Sequence, residues 1–245
     1  MTQLNPLFER THILIGDEGI KYLQQAHVFI AGLGGVGSFT AEALARMGVG
    51  KITLVDHDVV AGSNINRQLV ALNSTIGLSK ADVMKQRIQD INPDCQVTLI
   101  TEFLTPDSVF DILAPEYDAV VDAIDSMSSK AALIEAAWKK KIPIFSSMGA
   151  GGKLDPSMIR TGDIMDTSMC KLAKMIRRHL RRRDVGRGVQ AVYSIEPPLP
   201  PLPPEAVAHG RPRAVNGTVS YMPSIFGLTL AGMVSNHIIG DVRRV

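Results

Sequence analysis

The sequence predicts an α/β fold, a doubly wound and mostly parallel sheet followed by a C-terminal extension. Three observations carry this. Short apolar runs recur at 28–31, 51–55, 119–124 and 143–147, each the length of a strand buried on both faces. Stretches with helical spacing lie between them, at 38–47, 80–91 and 130–140. The turn Gly32-Leu33-Gly34-Gly35-Val36-Gly37 joins the first run to the first helix, and Asp56 stands at the end of the second run. Strand, glycine turn, helix, strand and acid together make a βαβ unit with dinucleotide-binding spacing, hence a Rossmann-like sheet. A tight turn beside a chance acid is the plainer alternative.

The elements follow in order. Residues 7–25 read as short helices whose Leu14, Ile20, Tyr22 and Leu23 pack against the first strand. Arg10 is the only arginine before Arg46, and its pattern alone reads as a solvated charge. In the βαβ unit, glycines let the backbone approach a phosphate and the helix N-terminus offers unpaired N–H groups. Asp56 comes 22 residues after Gly34, where a carboxylate can accept from a ribose hydroxyl. Residues 59–77 are polar and loop-like and bring Asn64, Asn66, Arg67 and Gln68 together. Ser79 caps a helix over 80–91 whose apolar face is Met84, Ile88 and Ile91. Lys80 then occupies the first helical turn, where the dipole disfavours a cation, which suggests a task beyond that of a surface lysine.

A third strand is expected at 96–100, a short helix at 106–113, and a fourth strand at 119–124 that ends in Asp125. Open α/β sheets bind ligands beyond the carboxyl ends of their strands, so Asp56 and Asp125 should face one crevice. Two carboxylates there repel unless a cation or ligand joins them. Asp122 lies inside its strand and reads as structural. With the helix at 130–140 and the strand at 143–147, these elements complete a nucleotide-binding domain at 1–150; residues 151–245 form a substrate and dimer region continuous with it.

That second region opens with MGAGGKLDPSMIRTGDI, read as a hairpin leaving the main sheet. Residues 171–187 then hold eight Lys and Arg against one Asp, a local charge of +7 in a chain whose total is only +2. The other residues therefore sum to −5. Leu172, Met175, Ile176 and Leu180 give this segment one apolar helical face. So dense a basic face favours an anionic partner over plain solvation, and the lack of interfacial Trp or Phe argues against a membrane surface. A strand at 193–196, an extended PPLPPLPP connector and a mobile stretch at 205–217 follow. Pro223 then opens a long final helix with Phe226, Leu230, Met233 and Ile238 in its core.

Composition narrows the class. An apolar content of 45% supports a sizeable core. Two cysteines, Cys95 and Cys170, make neither a disulfide framework nor a four-cysteine zinc site, and a reducing cytoplasm is the expected compartment. No charged-then-apolar signal pattern opens the chain. The apolar stretch 219–239 carries Ser220, Ser224, Ser235, Asn236 and His237, so it reads as a buried helix, with no stable membrane insertion expected.

Two chemistries suit the crevice. Hydride transfer with a nicotinamide cofactor needs a polar group at a substrate carbonyl, and no candidate stands out. Adenylation of a carboxylate by ATP needs Arg, Lys and a carboxylate around the phosphates, and Arg67, Lys80 and Asp125 are of those types. A non-catalytic RNA-binding protein is a third reading, against which this charged set argues.

The glycine turn at 32–37, Val55-Asp56-x-Asp58, Ser63-Asn64-Ile65-Asn66-Arg67-Gln68, Lys80 and Asp122-x-x-Asp125, in that order, resemble the ubiquitin-activating-like family of adenylating enzymes. That family includes activators of sulfur-carrier proteins. Within it the chain most resembles the branch that dehydrates threonylcarbamoyladenosine in tRNA. The likeness continues through MGAGGKLDP at 148–156, YSIE at 193–196 and the helix from Pro223 through Gly227 to His237.

The resemblance implies ATP and Mg2+ as cofactors, with Asp56 on the ribose and Gly34 and Gly35 lining the nucleotide. It implies that Asn64, Arg67 and Lys80 contact phosphates, with Gly32, Gly37, Asp58 and Gln68 completing the nucleotide site. Asp125 would hold magnesium, and Arg10 would reach ATP across a homodimer interface, which makes Arg10, Arg67, Lys80 and Asp125 the catalytic set. Lys171, Lys174, Arg177, Arg178, Arg181, Arg182 and Arg183 would bind tRNA. The sulfur-carrier activators carry CxxC pairs for zinc, and none is present here. That absence and the basic helix favour RNA over a ubiquitin-like or sulfur-carrier protein as substrate; the carrier reading would require Cys170. A carrier protein or sulfur-relay partner stays open as an additional partner.

Overall fold

The protein, seen here as a computed structural model, is described over residues 5–114, 116–203 and 216–243. The parallel strands are β1 (His27–Ala31), β2 (Lys51–Val55), β3 (Gln96–Ile100), β4 (Ala119–Asp122), β5 (Ile144–Ser147) and β7 (Val189–Ser194), with β6 (Ile159–Asp163) antiparallel to β7. The sheet order is β3-β2-β1-β4-β5-β7-β6. The strand order therefore reverses between β1 and β4, and the crevice of a doubly wound sheet opens there.

Helices cover both faces. They are α1 (Glu9–Gln25), α2 (Gly37–Met47), α3 (Lys80–Ile91), α4 (Val109–Ile112), α5 (Met127–Lys139), α6 (Lys171–Arg181) and α7 (Tyr221–Ile239). Alternation along β1 shows why two layers are needed. Val28 and Ile30 join a core with α1, α2, α3 and α7, while Phe29 and Ala31 join a second core with α4, α5 and α6. The helix at α3 starts as expected, with the Ser79 hydroxyl accepting from the Asp82 N–H at 3.2 Å. α1 is two short helical segments joined at Gly16, where φ is 63° and ψ is −174°, as the sequence suggests. Ile20 and Leu23 are buried as expected, but Leu14 and Tyr22 are exposed and do not pack inward. The α4 and β4 segments are shorter than the sequence pattern suggests, and α5 and β7 begin about three and four residues earlier, because sequence pattern marks an element better than its ends.

α7 is apolar and long enough to cross a membrane by length and composition. Its Met222, Phe226, Leu230, Ala231 and Val234 are instead buried in the first core. The Thr40 hydroxyl of α2 donates to the Gly227 carbonyl of α7 at 3.0 Å, which ties the two helices together. Cys95 is buried against the same core and its thiol is pushed up to about 11 by burial, in keeping with a packing role.

Two further expectations fail. The stretch after Met148 is no local hairpin leaving the sheet. Ile159–Asp163 pairs with Val189–Ser194, across the whole of α6, and extends the main sheet as its antiparallel edge. Alternation marks a strand but does not say which distant strand it pairs with. Met175 also leaves the apolar face of α6. It is 40% exposed, because Ala173, Ile176 and Leu180 form the buried stripe and Met175 lies around the helix from it. The Pro-rich connector is described to Pro203, with the Leu199 N–H donating to the Gly152 carbonyl at 2.7 Å. The expected mobile stretch lies, save for Asn216 and Gly217, outside the described residues.

Behind the crevice, Asp122 and Lys130 form an ion pair of 2.6 Å, both fully buried. Asp122 also accepts from the Ser146 hydroxyl at 2.5 Å and the Ile124 N–H at 3.1 Å, while Lys130 donates to the Ser147 carbonyl at 3.0 Å. The structural reading of Asp122 holds. Lys130→Met would leave a buried carboxylate without its cation, and such a loss costs about 3–5 kcal/mol. Urea unfolding should show a deficit of that order; a change below about 1 kcal/mol would mean the pair does not carry this junction.

Candidate active site

A cleft of about 400 Å³ lies along the carboxyl ends of the central strands, within the usual size of small-ligand sites. Its walls follow the strand order. Glu102, Phe103 and Leu104 come after β3, Asp56, His57 and Asp58 after β2, and Gly32, Gly34, Gly35 and Val36 after β1. Ala123, Ile124, Asp125 and Ser126 follow β4, and Ala150 and Gly151 follow β5. The loop before α3 adds Asn64, Arg67 and Gln68, and Thr218 and Pro223 close the side next to α7.

The glycine turn is built for close approach. Gly32 has φ of 88°, and a Cβ there would lie 2.7 Å from the Ala123 carbonyl oxygen. A Cβ on Gly37 would lie 1.7 Å from the Gly32 carbonyl oxygen. These two glycines let the turn fold tightly over β1 and aim the N-terminus of α2, with its unpaired N–H groups, into the cleft. Asp56 holds the turn from the next strand. Its Oδ2 accepts from the Leu33 N–H at 2.6 Å and its Oδ1 from the Asp58 N–H at 2.9 Å.

The cation that the sequence left in an unfavourable helix turn has a partner. Lys80 is buried at 6% exposure, lines the cleft, and its Nζ sits 2.8 Å from Asp58 Oδ2. Arg67 donates to the Ser63 carbonyl and to Asn66 Oδ1, both at 2.9 Å, which fixes its guanidinium in the wall. Asp125 is exposed in the cleft and forms no ion pair with a described residue, so its carboxylate is available to a cation. Asp56, His57 and Asp58 also offer ligand atoms within 4.8 Å of one another. There, however, Asp56 is engaged by two N–H groups and Asp58 by Lys80. Gln68 Oε1 is buried without a partner among the described residues, in a wall of the cleft. An orphaned acceptor of this kind is expected where a ligand or water supplies the donor. The glycine cradle, the two cations, the available carboxylate and this acceptor all suit a nucleotide triphosphate with a divalent cation.

Gly32, Gly34, Gly35, Asp56, Asp58, Asn64, Arg67, Gln68, Lys80 and Asp125 therefore meet in one cleft. Gly37 does not line it; it is buried under the turn, where it serves packing. Arg10 lines no part of the cleft and is exposed in the first turn of α1. On α6, Lys171, Lys174, Arg178, Arg181 and Arg182 are exposed. Arg177 instead turns inward to the carbonyl of Thr167 at 2.8 Å and to its hydroxyl, and Arg183 pairs with Glu135 at 2.5 Å. These two belong to the fold, so the outward basic face is smaller than the charge run implies.

Sequence reasoning missed several wall residues. Phe103 stands edge-to-face with His57, ring centroids 4.9 Å apart, and offers an apolar surface for a base. The strand-end rule applied to β3 would have found it. Ala150 and Gly151 lie in the glycine-rich stretch that read as the start of a hairpin, and nothing local marks Thr218.

The ThiF family matches residues 8–241 of this chain. The tRNA threonylcarbamoyladenosine dehydratase of Bacillus subtilis is 38% identical over 243 residues, covering 96% of each chain. The crystal structure of the Escherichia coli tRNA N6-threonylcarbamoyladenosine dehydratase, TcdA, in complex with ATP superposes with a TM-score of 0.85 at 37% identity. That match covers 94% of this chain and 93% of the other. The same enzyme in complex with AMP gives a TM-score of 0.85 at 35% identity over 97% of both chains. The family match and these likenesses extend over nearly the whole length, and the chain belongs to the ThiF family.

Proposed function

We propose that the protein uses ATP to adenylate the threonyl carboxylate of threonylcarbamoyladenosine in tRNA, and that ring closure then expels AMP with net loss of water. The carrying observation is the convergence of Arg67, Lys80, Asp56 and Asp125 in one cleft at the switch point. The ATP and AMP complexes of the E. coli relative support the same reading.

The β3-β2-β1 side suits the nucleoside, with Phe103 and Leu104 beside the base and Asp56 at the ribose. Asn64, Arg67 and Lys80 offer donors to the phosphates. A magnesium ion on Asp125 would offset phosphate charge. With both oxygens of the carboxylate free to attack, one becomes the bridge to the α-phosphorus and pyrophosphate leaves. A nucleophile in the same side chain attacks the activated carbon, and the bridging oxygen departs with AMP. The protein need only align the two reactants and exclude water; no enzyme thiol takes part. Cys170, the other cysteine, is buried at the start of α6 and lines no part of the cleft.

The exposed cations of α6 would hold tRNA phosphates, which positions the stem without reading sequence. A homodimer and a cytoplasmic setting belong to this proposal. Ile13 and Leu14, three and four residues beyond Arg10, are 72% and 75% exposed. Burying such a side chain stabilises by roughly 1.5–3 kcal/mol, so this turn of α1 favours a partner surface that would carry Arg10 into the neighbouring cleft.

Two experiments test the reading. Bulk tRNA carrying threonylcarbamoyladenosine, but not tRNA lacking it, should release AMP and pyrophosphate from ATP, and Asp125→Ala should abolish release. Nucleotide binding with no release on either tRNA contradicts the proposal. For the partner's contribution, Arg10→Ala and Asp125→Ala chains should each be inactive alone. Co-expressed as a tagged heterodimer, they should regain activity, because one cleft then holds an intact Asp125 and an intact Arg10. A heterodimer as inactive as its parents would show that Arg10 acts otherwise.

A further inference from the structure

The loop after β5 forms the cleft wall farthest along the strand order from the nucleoside side, through Ala150 and Gly151. It has no regular structure between Met148 and Asp155, yet it is tied down at several points. The Glu196 carboxylate accepts from the Leu154 N–H at 3.0 Å and from the Asp155 N–H at 2.9 Å. Lys153, only 4% exposed, donates from Nζ to the carbonyls of Glu196 at 2.8 Å and Ser194 at 3.3 Å. The Gly152 N–H donates to the Gly217 carbonyl at 2.8 Å, next to Thr218 of the cleft wall. Nothing in the proposed reaction uses Glu196 or Lys153.

Charge-assisted bonds to two consecutive N–H groups are a strong way to fix a loop that has no ladder of its own. A buried ammonium bonded only by carbonyls is retained at a desolvation cost, which is worth bearing where geometry must be held. The loop is also next to the basic helix. A Cβ on Gly149 would be 3.8 Å from Cys170 Sγ and from Leu172 Cβ, at the start of α6. The start of the basic helix and the wall of the cleft therefore meet at this loop.

We propose that Glu196, with Lys153, is a positioning residue for the acceptor side: it sets the Ala150–Gly151 wall against which the tRNA-borne carboxylate is aligned, and does not serve ATP. This rests on the adenylation reading above. The nucleoside side, under β3, β2 and β1, shares no hydrogen bond with this brace among the described residues.

The test compares full-length wild type, Glu196→Ala and Glu196→Gln by ATP affinity in equilibrium dialysis and by kcat and KM for AMP release on modified tRNA. A misplacement of about 1 Å at a reacting group costs on the order of 100-fold, so Glu196→Ala should lose about 10- to 100-fold in kcat. Its ATP affinity should stay within about twofold of wild type, which also reports that the variant is folded. Glu196→Gln keeps one acceptor oxygen and should fall between the two in kcat; it carries the same prediction if the alanine variant does not fold. ATP affinity falling in step with kcat, as a merely structural role would give, overturns the proposal, as does an unchanged kcat in Glu196→Ala. Wild type silent on modified tRNA overturns the adenylation reading and this inference with it, whereas active wild type beside an equally active Glu196→Ala overturns the brace alone.

Discussion

The buried Asp122–Lys130 pair is the constraint on which the cleft depends. It joins the end of β4 to α5, and through Ser146 and Ser147 to the end of β5. β4 borders the switch point and β5 is its neighbour. Asp125 leaves β4 three residues beyond the pair, and the loop carrying Ala150 and Gly151 leaves β5 just beyond Ser147. An unpaired charge at this depth would cost several kcal/mol, so β4, α5 and β5 share one arrangement in which the charges meet. The cleft inherits its geometry from that arrangement.

On the other side of the switch point, the constraint is steric. Gly32 and Gly37 let the turn after β1 lie against β4 and against itself, and Asp56 bonds it from β2. The N-terminus of α2 is thereby held at the cleft while Lys80, paired to Asp58, brings a cation from α3. Fixed dipoles and charges placed before a ligand arrives need little reorganisation during a reaction that develops negative charge on phosphates. That preorganisation fits phosphoryl and adenylyl chemistry better than hydride transfer.

The parts of this plan that were legible in the sequence are those with a local cause. The β1–α2–β2 unit shows as a change of period around a glycine turn, Ser79 as a cap at the start of α3, and Asp125 as an acid at a strand end. What was not legible depends on distant partners. β6 alternates as a strand should, but its pairing with β7 across α6 has no signature in its own residues. Arg177 and Arg183 look in sequence like their exposed neighbours, and only tertiary contacts with Thr167 and Glu135 withdraw them from the basic face. Arg10 is plain as a lone arginine, while any place for it in a cleft lies beyond a single chain.

The central claim is that the tRNA-borne carboxylate itself attacks the α-phosphorus. It is tested most directly by following an oxygen atom. Modified tRNA whose threonyl carboxylate carries a heavy oxygen isotope should pass one labelled oxygen to AMP and none to pyrophosphate, because the bridging oxygen leaves with the nucleotide. AMP released without the label, in the same turnover that closes the ring, would mean that water or another group opened ATP, and would contradict the account.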